Sequence, residues 1–256
     1  MRKLEMSILA LAGSVTAIGT VLSIKAPEFY ITSYVPEDGA VEWLTVVALL
    51  FSAALLLTRA WKLRGQRPRV FLAAQCFGAL ILCGGAGEEI SWGQRLIGLE
   101  TPEWIEESNR QGEMNFHNLE VAGVNLNKLI FGKFLGVALL THLLVIPYWY
   151  RRKPRFAALV DRLGIPLAKA HYVALWIGVF VLTELVVGTG KRGELREFAL
   201  TFVLAAQLVG GTLNEQIYSR RVEKEATDQS PDIPEPTGVF KTKPRRTRQR
   251  PRRRAA

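Results

Sequence analysis

Cysteine is nearly absent: Cys76 and Cys83 are the only two in 256 residues. They stand seven apart in one apolar run, on one helix face but two turns apart along it, too far to bridge each other. A disulfide scaffold is therefore excluded. Histidine is equally scarce, with His117, His142 and His171 in three separate segments. No internal repeat is present. Gly188-Thr-Gly-Lys-Arg-Gly193 resembles a phosphate loop superficially, but it lacks the G-x-x-x-x-G-K-[ST] spacing and a soluble helix to follow it. No A-x-A cleavage site stands between the first apolar run and Lys25, so that run reads as an uncleaved span rather than a signal peptide.

What the chain has in abundance is long apolar blocks. Nearly half of its residues are hydrophobic, and they cluster in stretches close to the 20 residues that about 30 Å of hydrocarbon requires. Six such blocks predict an all-α polytopic transmembrane bundle, with spans at about 4–24, 40–58, 70–87, 129–150, 168–188 and 197–217. Helix is the expected conformation because the bilayer core offers no water to satisfy backbone groups. The residues from 219 to 256 are rich in Pro, Thr, Ser and charge and poor in apolar residues, the composition of a disordered tail.

Charge orients these spans. The net charge is +10, but nine basic residues and no acid lie within 241–254; ten less nine leaves a body of +1. Within that body, bases crowd Arg2 and Lys3, the link from Arg59 to Arg69, the link from Arg151 to Arg162, and the stretch from Arg220 to Lys224. All four sites fall on one side of a six-span model, which makes that side cytoplasmic and places both termini there. The long loop 88–127 holds eight acids against Arg95 and Arg110, and it faces outward. The localisation implied is a cell membrane, crossed several times. The basic tail suits anionic lipid headgroups, each Lys or Arg near such a surface contributing about 1 kcal/mol. From Lys241 on it has no aromatic residue for base stacking, which argues against nucleic acid.

Ionisable groups inside spans are costly, about 2.5–3.5 kcal/mol each near the centre on insertion scales, and so mark candidate sites. Helical rise places Glu42, Glu184, Lys133 and the pair Glu88 and Glu89 in one layer near the outer interface, and His142 near the midplane. In Glu88-Glu-Ile-Ser-Trp-Gly-Gln-Arg95 a continuous helix aligns Glu88, Trp92 and Arg95 on one face. Thr101-Pro-Glu reads as a helix start with Thr101 as N-cap, the helix ending at Gly112. Glu113 and His117 are four apart and share a face, and Asn115 joins them if the backbone is extended. Each feature also has a plainer role: Glu42, Glu184 and Lys133 as an ion-pair network orienting helices, Glu113 with His117 as a loop-ordering pair, and His142 as an interhelical hydrogen-bonding residue. The glycines Gly84, Gly85 and Gly87 allow close helix packing.

Two strings, Glu88-Glu-Ile-Ser-Trp-Gly-Gln-Arg95 and Asn109-Arg-Gln-Gly-Glu-Met-Asn-Phe-His-Asn118, resemble those of a family of uncharacterised bacterial multi-span membrane proteins, and the stretch around Glu42 fits the same pattern. The resemblance covers the first two-thirds of the chain and implies no particular activity. Ceramidase-type intramembrane hydrolases are not resembled, because they need several histidines and a serine at set positions.

The leading expectation is an outward-facing membrane enzyme acting on a lipid or lipid-linked substrate. Glu88, Glu89, Glu113 and His117 are the candidate acid–base groups, and Arg95, Trp92, Asn115, Glu42 and Glu184 the candidate substrate contacts. Glu89, Glu113 and His117 are also candidate ligands for a divalent metal. A transporter or ion-coupled carrier is the alternative, with His142, Gln75 and Gln207 as its only polar groups near the midplane. A structural or assembly subunit without catalysis is the third reading.

Overall fold

The computed structural model describes residues 2–106, 108–109, 112, 114–115, 119–121, 124–125, 135–188 and 190–219. The basic tail, Lys133, Glu113 and His117 lie outside the described residues. The architecture is all-α apart from a two-residue antiparallel ladder, Glu120–Val121 against Val124–Asn125. In chain order the helices are α1 (Arg2–Lys25), α2 (Pro27–Phe29) running into a π-helical turn at Tyr30–Tyr34, α3 (Ala40–Leu63), α4 (Arg69–Glu89), and the short α5 (Gln94–Ile97) and α6 (Glu103–Glu106). Then come α7 (Leu135–Leu140) and α8 (Ile146–Arg152), joined by a π-helical turn at Thr141–Val145, followed by α9 (Pro154–Leu163), α10 (Ala170–Leu185) and α11 (Arg192–Gly210).

Three of these, α1, α3 and α4, are long and apolar enough to cross a membrane, and α10 is apolar but only 16 residues long. Their outward faces carry large apolar side chains: Leu11 and Ile18 on α1, Val47 and Leu57 on α3, Phe77 and Leu80 on α4. Apolar exposure of that extent suits lipid rather than water. Cys76 and Cys83 are free and exposed on α4 among these residues.

The inward faces are built from small residues. On α1 the buried positions are Ala12, Thr16, Gly19 and Ser23, a stripe at helical spacing that packs against α11. Lipid tails are as apolar as the helices, so association depends on close backbone approach rather than on the hydrophobic effect, and small residues permit it. Gly19 shows how close: a β-carbon there would lie 2.8 Å from the Tyr34 ring and 2.9 Å from Leu195 Cδ1. Gly19→Leu should therefore destabilise the fold by about 1–3 kcal/mol through overpacking. Gly13→Leu on the same helix, with open space before it, should not. Melting of the two variants in detergent checks this.

The helix at the centre is α11, which packs against α1, α3 and α10. Leu195, Phe198, Ala199, Phe202, Val203, Ala205, Ala206 and Leu208 are all buried along it. Its first two turns carry Arg192, Glu194, Arg196 and Glu197, so its composition is less apolar than that of α3 although its burial is greater.

At the end of the bundle where α11 terminates, polar side chains tie the connections together. Asn214 donates to Asp161 Oδ1 (3.1 Å) and to the Ile165 carbonyl (3.0 Å) and accepts from the Leu167 amide (3.2 Å). The Gly164 carbonyl accepts from Gln75 Nε2 (2.6 Å) and the Tyr218 hydroxyl (2.8 Å). Burial pushes the Tyr218 hydroxyl above its ordinary pKa, with Arg59 opposing, and it stays a donor. The Arg59 guanidinium lies 4.6 Å from the Tyr218 ring centre and donates to the Leu208 carbonyl. Of the three groups that a midplane polar path required, Gln75 is thus bound to a loop, His142 lies in the π-helical turn between α7 and α8, and Gln207 is buried within α11.

Candidate functional site

The opposite end of the bundle holds the carboxylates. Glu42 is in the first turn of α3, Glu88 and Glu89 close α4, and Glu194 is in the first turn of α11. Because α3 and α11 start where α4 stops, their acids meet: Glu89 is within coulombic reach of Glu197, Glu194, Glu42 and Glu88. Glu42 and Glu88 are each only 8 % exposed. Glu42 Oε2 accepts the backbone N–H of Asp38 at 2.8 Å, which fixes the turn entering α3.

After Glu89 the chain does not continue as a helix. Ser91, Trp92 and Gly93 adopt left-handed backbone, with φ of 47°, 56° and 78°. For the two residues that carry a side chain this costs about 1–2 kcal/mol each. Such strain persists only where surrounding contacts over-determine it, and it concentrates at functional sites. Here those contacts are visible. Trp92 Nε1 donates to Glu88 Oε1 at 2.7 Å, and its ring folds back onto Gly87, where a β-carbon would lie 2.8 Å from Trp92 Cε3. Glu88 and Trp92 therefore meet, but through a reversal of the chain and not along the continuous helical face expected from their spacing. Of the three glycines assigned to helix packing, Gly87 instead makes room for Trp92, a β-carbon on Gly85 would lie 3.7 Å from Leu49 Cδ1, and Gly84 faces open space.

The two sequence strings form one buried polar lattice. Asn115 Nδ2 donates to Ser91 Oγ (2.9 Å), and Asn109 Nδ2 donates to the Asn115 carbonyl (2.9 Å) and side-chain oxygen (3.0 Å). The Met114 amide donates to Gln94 Oε1 (2.7 Å), whose amide nitrogen donates to Thr101 Oγ1. Ser91, Gln94, Asn109 and Asn115 are all buried. Thr101 is not an N-cap: its hydroxyl donates to the Gly112 carbonyl at 2.6 Å, and the helix beyond it, Glu103–Glu106, stops well short of Gly112. The carbonyl that opens this helix is that of Pro102, which accepts from the Ile105 and Glu106 amides, so Thr101 stands one residue before the cap position.

The remaining candidates sort as follows. Asn115 joins the strained turn directly. Glu184 is engaged elsewhere, in ion pairs with Arg192 (3.0 Å) and Arg196 (3.1 Å) that clamp the end of α10 to the start of α11. Arg95 lies on α5, immediately beyond the strained turn, as part of a helix of four residues. Among the described residues no group of three His, Cys, Asp or Glu is arranged to hold a metal ion. Glu194 and Glu197 are the members that sequence reasoning missed. Their signal was an acid pair opening an apolar helix, which reads equally well as an ordinary span flank until α11 is known to sit beside α3 and α4.

The arrangement offers several carboxylates around one, next to an indole whose N–H is held by Glu88 and a loop whose polar groups are bound internally. Carboxylates so grouped can divide protons unequally, one acting as acid while another acts as base. No family model, curated protein or solved structure matches this chain.

Proposed function

We propose that this protein is a polytopic enzyme of the cell membrane, with six spans and both termini in the cytoplasm, whose outward end acts on a lipid or lipid-linked substrate by acid–base catalysis. The convergence of Glu42, Glu88, Glu89, Glu194 and Glu197 from three helices at one end of the bundle carries this reading. That end is the one the charge pattern assigns to the outside. Trp92, 54 % exposed beside Glu88, suits contact with the interfacial part of a lipid. Glu89 is the proposed acid–base group, with Glu113, His117 and a divalent metal as further candidates on sequence grounds. Membership in the bacterial membrane-protein family that shares the two strings belongs to the same proposal, because those strings build the lattice beside the carboxylates.

Catalysis is tested by reconstituting the purified protein in nanodiscs of bacterial lipid extract and following lipid composition by mass spectrometry. Time-dependent conversion of one lipid class supports the proposal, and an unchanged composition over the full panel of lipid classes overturns it. Orientation has its own check. In a variant with Cys76 and Cys83 replaced by Ala, a cysteine introduced at Ser108 should react with an impermeant thiol reagent from outside intact cells, and one at Arg64 should not. Outside labelling at Arg64 would invert the bundle and carry the site with it.

A further inference from the structure

A second site lies at the other end of the bundle, away from the carboxylates. The helix formed by α7, the π-helical turn and α8 meets the start of α10 at a groove of about 410 Å³. Its floor is apolar, with Leu143, Pro147 and Ala168 buried, and its rim is formed by Tyr148, Arg151 and Arg152, all exposed. No acid lines it. Lys169, between the lining residues Ala168 and Ala170 in sequence, is paired with Glu215 at 3.0 Å and Asp161 accepts from Tyr150, so among the described residues the two guanidiniums have no acidic partner in the groove.

The groove has a local cause. Pro147 has no N–H and its ring crowds the carbonyl four residues back, so a regular α-helix cannot run through this point. The chain widens instead into the π-helical turn Thr141–Val145, with the Ile146 amide bonded to the Thr141 carbonyl. Single π turns of this kind open space at functional positions.

The surroundings place the groove at the headgroup level of a membrane. Leu140, Leu144 and Val145 expose apolar side chains on the same helix, and Tyr148 and Trp149 follow at its end, the sequence of an apolar span passing into an aromatic belt. Lys153 lies 4.0 Å from the Trp149 ring centre, and the Arg152 guanidinium stacks 4.2 Å from the Tyr148 ring centre while donating to its hydroxyl at 2.5 Å. That stacking holds Arg152 in position before any ligand arrives. Next comes α9, whose polar and apolar residues fall on opposite faces, the pattern of a helix lying in the interface.

We propose that this groove binds an anionic glycerophospholipid, with its phosphate on Arg151 and Arg152, its glycerol region at Tyr148 and an acyl chain along the apolar floor. Basic pockets between membrane helices recognise anionic headgroups in this way, and a planar guanidinium suits phosphate oxygens better than a point charge does. This site is independent of the proposed acid–base chemistry.

The test is native mass spectrometry of the full chain released from nanodiscs of equal parts phosphatidylglycerol and phosphatidylcholine. The expected result is preferential retention of phosphatidylglycerol. Arg151→Gln with Arg152→Gln should reduce that preference roughly twenty- to thirtyfold, whereas Arg64→Gln, which stacks on Trp61 outside the groove, should leave it unchanged. Ala170→Trp fills the exposed rim without altering charge and should also displace the lipid. Circular dichroism establishes that each variant is folded. Equal retention of the two lipids by the native chain overturns the proposal. So does undiminished retention in Ala170→Trp, which would reduce the effect to diffuse surface charge, or displacement by millimolar inorganic phosphate, which would make the ligand a free anion.

Discussion

Replacing Glu89 by Gln is expected to abolish lipid conversion in nanodiscs while leaving the melting temperature in detergent unchanged or slightly raised. The amide keeps the shape of the carboxyl but cannot hold and release a proton, so a group acting in acid–base catalysis loses its role, a loss typically of 10²–10⁴-fold. The stability expectation has a separate cause. Glu89 stands among Glu42, Glu88, Glu194 and Glu197, and among the described residues it has no ion-pair partner for a neutral amide of the same shape to strand. Sites of this kind are retained for function at a cost to the fold. A structural network gives the opposite sign: deleting one partner of a buried ion pair strands the other and costs about 3–5 kcal/mol. Glu184→Gln supplies that contrast within the same molecule, since its partners Arg192 and Arg196 are visible. Its side chain is 37 % exposed, so the loss there should be well below the buried figure. Full activity in Glu89→Gln, with a marked drop in melting temperature, would remove Glu89 from the chemistry and leave a scaffold.

The second large effect is expected at Asn115. Its side chain is 3 % exposed and joins Ser91 in the strained turn to Asn109 in the returning loop. Asn115→Leu preserves the volume but removes the bond to the Ser91 hydroxyl and the side-chain bond from the Asn109 amide, which keeps its bond to the main-chain carbonyl of residue 115. Hydrogen bonds of this kind contribute about 0.5–1.5 kcal/mol each, so a total loss of roughly 1–3 kcal/mol is expected. Because these bonds also hold the left-handed residues Ser91 and Trp92 in place, the turn should relax and release Trp92 from Glu88. Activity should then fall further than stability does. Intrinsic tryptophan emission, read against melting temperature, separates the two effects. A spectrum and activity like those of the native protein, together with a lower melting temperature, would show that the lattice supports the loop without positioning the site.

By itself the sequence determined the material: long apolar blocks in a chain with almost no cysteine and no repeat demand helices in lipid, and α1, α3 and α4 follow directly from that demand. It also marked Glu42, Glu88 and Glu89 as acids at one depth, because helical rise converts position into height. Adjacency around the bundle was beyond its reach. How α11 packs against α1 and α3 depends on small-residue contacts such as those of Gly19, Ala48 and Ala199, which carry no directional label in a linear string, so Glu194 and Glu197 entered only with the fold. The same limit applies at Trp92. Periodicity assumes that a helix continues, and there the tertiary bonds of Ser91 and Trp92 override the local backbone preference, turning an expected helical face into a reversed turn over Gly87.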